Sequence, residues 1–130
     1  LFISQDVPMI VLGLEDRIVQ VLRNLLGNAL SFNPPYGKIT IKVEPLDETI
    51  AVMVEDDGPG ISEGSLTQIF NRFYQDRPVE EKFGTHSGLG LSISKQIIET
   101  HGGKIWAENR KSSNGNILGA RITFLLPSKN

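Results

Sequence analysis

Two stretches in the first half of the chain have Ile or Val at every second position, and this alternation constrains the fold most strongly. Every second residue is apolar in residues 38–44 and again in residues 50–55. A period of two is typical of a half-buried β-strand. Residues 45–48 lie between the two stretches and would form the turn, so the sequence predicts an antiparallel hairpin. The alternating positions are Ile39, Ile41, Val43, Ile50, Val52 and Val54.

Two longer segments have the periodicity of amphipathic helices. From residue 14 onwards apolar residues recur at spacings of three and four, which predicts a helix that Pro34 and Pro35 end. A second helical pattern covers residues 89–101 and stops at two glycines. We also predict a short helix over residues 62–70 and strands over residues 1–3, 9–12, 104–108 and 121–126.

The composition is that of one globular domain. The chain has 130 residues, of which 39% are hydrophobic and 22% charged. Thirteen basic and fifteen acidic residues leave a net charge of −2, so the broad basic field that nucleic-acid binding requires is absent. No apolar run approaches the roughly 20 residues that span a bilayer, so we expect no membrane insertion of this segment. Because it begins at Leu1, we expect a piece of a longer protein.

Four polar or glycine-rich motifs follow one another along the chain. Asn-Leu-Leu-Gly-Asn occupies residues 24–28 in the first helix, and Asp-Asp-Gly-Pro-Gly occupies residues 56–60 directly after the hairpin. Phe-Asn-Arg-Phe lies at residues 70–73, and Gly-Thr-His-Ser-Gly-Leu-Gly-Leu at residues 84–91. Residues 74–88, which run from the third motif into the fourth, have no apolar period. A long loop of this kind is usually functional or disordered.

The asparagines of the first motif have two possible roles. Asn24 and Asn28 are four residues apart and share one helix face. Their neutral amide oxygens are hard ligands that suit a magnesium ion bound to phosphate. Taken alone, the pair is more simply interpreted as exposed or capping asparagines.

The two glycine-rich motifs suit the two ends of a nucleotide. Asp56 could accept a hydrogen bond from the exocyclic amine of adenine, whereas guanine presents a carbonyl there; a simple turn aspartate is an equally good interpretation. Gly88 and Gly90 stand at the start of a helix, where free backbone amides and the helix dipole attract phosphate. The chain has neither a P-loop nor a dinucleotide-binding glycine motif.

The order of these motifs resembles the asparagine, first glycine, phenylalanine and second glycine boxes of the histidine-kinase catalytic domain. This domain belongs to the ATPase superfamily shared with gyrase, mismatch-repair and heat-shock-chaperone ATPases. The resemblance covers nearly all of residues 1–130 as one domain. It implies a two-layer α/β sandwich, in which three helices cover one face of a mixed five-stranded sheet. Residues 74–88 would be the lid over ATP.

The resemblance also implies roles for individual residues. In the family, the residue that matches Asn28 contacts Mg²⁺ and the residue that matches Asn24 lies near the phosphates. The residue that matches Asp56 specifies adenine. Arg72 is our candidate for a phosphate contact and completes a catalytic set with the two asparagines. The other positions expected at the nucleotide are Phe32, Gly58, Gly60, Ile61, Phe73, Thr85, His86, Ser87, Gly88, Leu89, Gly90 and Leu91.

The implied activity is transfer of the γ-phosphoryl group of ATP to a histidine. That histidine lies on a separate dimerisation and phosphoacceptor domain of the same protein, which passes the group to a response regulator receiver domain. Hydrolytic members of the superfamily have a glutamate at the position of Asn24, and an asparagine cannot act as a general base. We expect a cytoplasmic domain of a parent protein anchored in the cytoplasmic membrane.

One departure from the family keeps an alternative open. Ser31 stands where the family often has a lysine, so a phosphate-facing cation is lost. The chain could therefore be a degenerate nucleotide-binding or docking module without phosphotransfer. An autonomous ATPase is disfavoured by Asn24, and the lid sequence does not exclude a serine kinase of the same superfamily.

Overall fold

The computed structural model describes residues 2–4, 15–71 and 90–127. Helix α1 spans Glu15–Phe32 and helix α2 spans Gly90–Thr100. The five strands are β1 Phe2–Ser4, β2 Thr40–Pro45, β3 Thr49–Glu55, β4 Lys104–Lys111 and β5 Ile117–Pro127. No helix within these residues is long and apolar enough to cross a membrane. The predicted strand at residues 9–12 and the predicted lid lie outside the described residues.

The strands form one sheet in the order β1-β2-β3-β5-β4. Strands β2, β3, β5 and β4 form a run of antiparallel pairs, and the three-residue β1 pairs in parallel with β2 at one edge. The predicted hairpin is confirmed, with Ile41 opposite Val54 and Val43 opposite Val52. Strand β4 forms the other edge and is irregular between Arg110 and Lys111. The α/β class predicted from the sequence is therefore confirmed.

One face of the sheet is apolar and packs against both helices. Alternation along each strand places Val52 beside Phe124 and Val54 beside Ile122 on this face. Helix α1 contributes Val21, Leu25 and Ala29 to the core, and α2 contributes Ile97 and Ile98. Burying one such large apolar side chain stabilises the fold by about 1.5 to 3 kcal/mol. The helices and the sheet thus form two layers with the hydrophobic core between them.

The helix predicted over residues 62–70 is wrong. Two short 3₁₀ turns, Glu63–Ser65 and Gln68–Phe70, occupy this segment, so the described residues contain two α-helices rather than three. Gly64 and Ser65 are weak helix formers, and a nine-residue segment is too short to offset the cost of helix nucleation. The side chains of Ile69 and Phe70 are buried and fix the second turn to the core.

The opposite face of the sheet has a row of charged residues. Arg121 Nε lies 2.7 Å from Glu55 and its Nη1 lies 3.1 Å from Glu108, while Lys42 lies 3.5 Å from Glu55. Partial burial lowers the pKa of Arg121, but its hydrogen bonds to the two glutamates outweigh this effect and raise the pKa above the usual arginine value. Arg121 is therefore charged at neutral pH.

Candidate functional site

Helix α1 connects two of the predicted motifs in space. One of its side chains, Asn24, donates to the carbonyl oxygen of Gly90, the first residue of α2, at 3.2 Å. Directly after the helix, Asn33 Oδ1 accepts from the backbone N–H of Asp57 at 2.9 Å. The start of α2 and the loop after β3 are therefore both fixed to the same helix.

The amide of Asn24 is held in one orientation. Its Nδ2 donates to the carbonyl oxygen of Gly90 and to Ser94 Oγ, both at 3.2 Å. Turning the amide over would place Oδ1 against a carbonyl oxygen, so Oδ1 must point away from α2. Ser94 is fully buried, and its hydroxyl oxygen accepts this hydrogen bond. Sequence reasoning missed Ser94, because a single serine on a helix carries no signal.

Asn28 lies one turn further along α1 and is half-buried. Its side chain has no hydrogen-bond partner among the described residues, so its amide oxygen is available to a ligand. The same residues contain no cluster of three acidic, histidine or cysteine side chains that could hold a metal ion. One neutral oxygen fits a Mg²⁺ ion that takes most of its ligands from phosphate and water.

An open groove of about 400 Å³ lies along α1 beside Asn24. Its lining includes Arg23, an exposed cation one residue away from that asparagine. Its lining residues are Asp16, Val19, Gln20, Arg23 and Asn24.

Asp56 is a buried carboxylate at the end of β3, with an exposed fraction of 3%. Its Oδ1 accepts from the backbone N–H of Gly58 at 2.8 Å and from that of Ala120 at 3.2 Å. Its own N–H donates to the carbonyl oxygen of Ala120 at 3.0 Å. Two backbone donors thus hold the carboxylate and a third hydrogen bond holds the Asp56 backbone, which fixes the position of the group.

The rest of the glycine loop packs against strands β4 and β5. Gly60 has a φ of 84°, which favours glycine, and an added Cβ would lie 2.7 Å from Ile117 Cγ2. Asn109 holds the next residue, Ile61, by accepting from its N–H at 2.8 Å and donating to its carbonyl oxygen at 2.6 Å. Gly60 is also one of the positions expected at the nucleotide, which stays a prediction; within the structure its close neighbour is this hairpin.

The remaining predicted positions divide into two groups. Phe32 ends α1 and is half-buried, Leu91 is half-buried in the first turn of α2, and Ser31 Oγ donates to the carbonyl oxygen of Gly27 at 2.9 Å. A Cβ at Gly90 would meet only ordinary contacts with Asn24, at 3.8 Å. The second group lies outside the described residues and consists of Arg72, Phe73, Thr85, His86, Ser87, Gly88 and Leu89.

Comparison with known sequences places this arrangement in a family. Residues 13–130 match the family of histidine kinase-, DNA gyrase B- and HSP90-like ATPases. The sensor protein ChvG of Agrobacterium fabrum is 48% identical over 120 residues, which are 92% of this chain and 20% of ChvG. The sensor histidine kinase WalK of Bacillus subtilis is 39% identical over 118 residues, which are 88% of this chain and 18% of WalK. The chain spans about a fifth of the length of these relatives.

Solved structures share the fold. The nucleotide-free catalytic domain of the histidine kinase ThkA has a TM-score of 0.80 and 35% identity, covering 99% of this chain and 79% of that domain. ThkA in complex with the response regulator protein TrrA has a TM-score of 0.77 and 35% identity, covering 98% of this chain and 34% of ThkA. The chain therefore belongs to the histidine kinase-, DNA gyrase B- and HSP90-like ATPase family, and its relatives include sensor histidine kinases.

Proposed function

We propose that this domain binds Mg-ATP and transfers the γ-phosphoryl group to a histidine on a separate phosphoacceptor domain of the same protein. The observation that carries the proposal is the pair of contacts made from α1. Asn24 holds the start of α2, and Asn33 holds the loop that contains Asp56. Asn24 and Asn33 are nine positions apart, which is about 14 Å of rise along a helix. Helix α1 and the residue that directly follows it thus hold a candidate phosphate site and a candidate base site.

Each end of the proposed site has a suitable chemical group. Asp56 would accept a hydrogen bond from the exocyclic amine of adenine, in a position fixed by backbone donors. The first turn of α2 presents backbone N–H groups and the positive end of its dipole to the phosphates. Asn28 would hold the magnesium ion, which when bound supplies charge neutralisation at the phosphates.

The transfer step needs positioning rather than a base on this domain. The imidazole nitrogen of the incoming histidine forms a bond to the γ-phosphorus as the bond to the β–γ bridging oxygen breaks, and ADP leaves. The imidazole proton passes to solvent. Asn24 cannot take a proton from water, and its amide hydrogens are already donated to α2. Slow hydrolysis of ATP by the isolated domain follows from this arrangement.

The relatives support the proposed setting. WalK is named a sensor histidine kinase, and ThkA forms a complex with a response regulator protein. We propose that the parent of this chain likewise passes its phosphoryl group to the receiver domain of a response regulator. We also propose that the domain works on the cytoplasmic side of a parent protein anchored in the cytoplasmic membrane.

Because the proposed acceptor histidine lies on a separate domain, the proposal predicts where the label of γ-labelled ATP is found. The isolated domain incubated with [γ-³²P]ATP and Mg²⁺ should stay unlabelled and should release little phosphate. Addition of the parent's histidine-bearing helical domain should produce acid-labile label on that added domain. Stable label on the isolated domain would contradict the proposal. ATP binding without any transfer would instead support a nucleotide-binding or docking module, which the serine at position 31 also allows.

The magnesium role of Asn28 can be tested separately. Asn28→Ala should weaken binding of Mg-ATP by about three- to tenfold, because one ion ligand is lost, and should leave metal-free ADP binding nearly unchanged. Calorimetry with and without EDTA measures both affinities. Asn116→Ala, at an exposed position in the β4–β5 hairpin, is the control. An equal loss with and without Mg²⁺ would remove Asn28 from the metal.

A further inference from the structure

The guanidinium of Arg110, on strand β4, holds the loop at the proposed base site. Its Nη2 donates to the carbonyl oxygen of Asp56 at 2.6 Å and to Asp57 Oδ1 at 2.8 Å. A third acceptor, the carbonyl oxygen of Leu118, lies at 3.5 Å. The side chain is 19% exposed, so solvent screens these contacts only in part.

The space for this contact exists because the opposite residue is a glycine. Gly119 pairs with Arg110 across the β4–β5 ladder. A Cβ at Gly119 would lie 1.8 Å from the carbonyl oxygen of Asp56 and 2.9 Å from Arg110 Nη2. Any other side chain at this position would occupy the place where the guanidinium meets the carbonyl.

The guanidinium of Arg110 makes its shortest hydrogen bonds to the loop that contains Asp56 and Asp57. Arg110 Nε is buried and has no hydrogen-bond partner among the described residues, and it lies 4.0 Å from Glu55 Oε1. Glu55 is instead hydrogen-bonded to Arg121, at 2.7 Å. Two arginines therefore share one buried glutamate, but only Arg110 reaches the loop.

Through Asp57 the same contact extends to two other elements. Asp57 Oδ2 accepts from the backbone N–H of Lys38, just before β2, at 2.8 Å, and the Asp57 N–H donates to Asn33 after α1. Arg110 thus joins β4 to the point where α1, β2 and β3 meet. Loss of the guanidinium would release the Asp56 carbonyl and leave Asp57 without its cation.

We propose that Arg110 is a positioning residue for base recognition. It contacts the backbone of Asp56 rather than the nucleotide, and it fixes the direction in which the Asp56 carboxylate faces the base. This inference rests on the proposed ATP-binding function. A guanidinium suits the role because one nitrogen carries two hydrogens in a fixed plane, which can bridge a carbonyl and a carboxylate.

The test compares Arg110→Gln with Arg121→Gln. Both substitutions remove a cation next to Glu55, but only the first removes a contact with the loop. Affinities for ATP and for adenosine are measured by calorimetry or by competition, and thermal unfolding is measured for each variant. Arg110→Gln should weaken the binding of ATP and of adenosine by the same factor, about tenfold. Arg121→Gln should change neither affinity by more than about twofold.

Three results would overturn the inference. Equal losses in the two arginine variants would show a general effect of the charged row, and a loss for ATP without a loss for adenosine would place Arg110 at the phosphates. If Arg110→Gln does not fold, Arg110→Lys keeps the charge but removes the planar guanidinium that bridges the Asp56 carbonyl and the Asp57 carboxylate, and an unchanged adenosine affinity in that variant would be the third. Absence of ATP and adenosine binding by the wild-type domain would overturn the proposed function and this inference together.

Discussion

Replacing Asp56 by asparagine is expected to weaken ATP binding by about ten- to a hundredfold while the fold stays intact. An asparagine has the same shape, and its Oδ1 can still accept from the N–H groups of Gly58 and Ala120. In the proposed binding mode, however, the second oxygen would be replaced by an NH₂ group facing the exocyclic amine of adenine, so that a donor meets a donor. Stranding a buried polar group in this way costs about 1 to 3 kcal/mol, which sets the expected range.

The measurement is calorimetric titration of the Asp56→Asn domain with ATP, together with its urea unfolding curve. Asp47→Asn, in the exposed turn between β2 and β3, is the control and should bind ATP normally. Wild-type affinity for ATP in the Asp56→Asn domain would mean that the carboxylate does not recognise the base.

Replacing Gly119 by alanine is expected to lower both the stability and the nucleotide affinity of the domain. The added Cβ would lie 1.8 Å from the carbonyl oxygen of Asp56 and 2.7 Å from its carbon. These are backbone atoms, so β5 and the loop must separate, and we expect the free energy of unfolding to fall by about 2 to 4 kcal/mol. The separation would also move the Asp56 carboxylate away from its donor on β5, the N–H of Ala120.

Gly103→Ala is a matched control for this effect. Its Cβ would lie 2.0 Å from the carbonyl oxygen of Leu125, an equally severe backbone contact. Leu125 is six residues beyond Gly119 on β5, about 20 Å along the strand. Both variants should unfold at lower urea concentration, but under conditions where both are folded only Gly119→Ala should bind ATP more weakly. Equal ATP affinities in the two variants would separate Gly119 from the base site.

The elements that could be predicted from the sequence are those with a local signal. The alternation in residues 38–55 reports burial of one strand face, and the hairpin is found with the expected register. The three- and four-residue spacing in α1 has the same physical origin, since each apolar residue faces the core. The segment at residues 62–70 has apolar residues too, but its glycine and serines favour turns, so the same reasoning failed there.

The contacts that hold the candidate site could not be predicted in the same way. Asn24 bonds to Ser94, Asn109 to Ile61, and Arg110 to Asp56, across 70, 48 and 54 residues of sequence. None of these partners is unusual for its residue type, and no periodicity relates one to another. They become neighbours only after β4 and β5 join the sheet beside β3, so knowledge of the strand order is required.

The edge formed by β4 affects how the domain can associate with other proteins. An edge strand offers unpaired N–H and C=O groups to which a foreign strand can add, and lysines or a bulge are common protections against this. Strand β4 begins and ends with exposed lysines, Lys104 and Lys111, and its ladder is irregular before the second. The opposite edge, β1, is only three residues long. Among the described strands neither edge favours growth of the sheet, so a partner is expected to dock through side chains rather than by adding a strand.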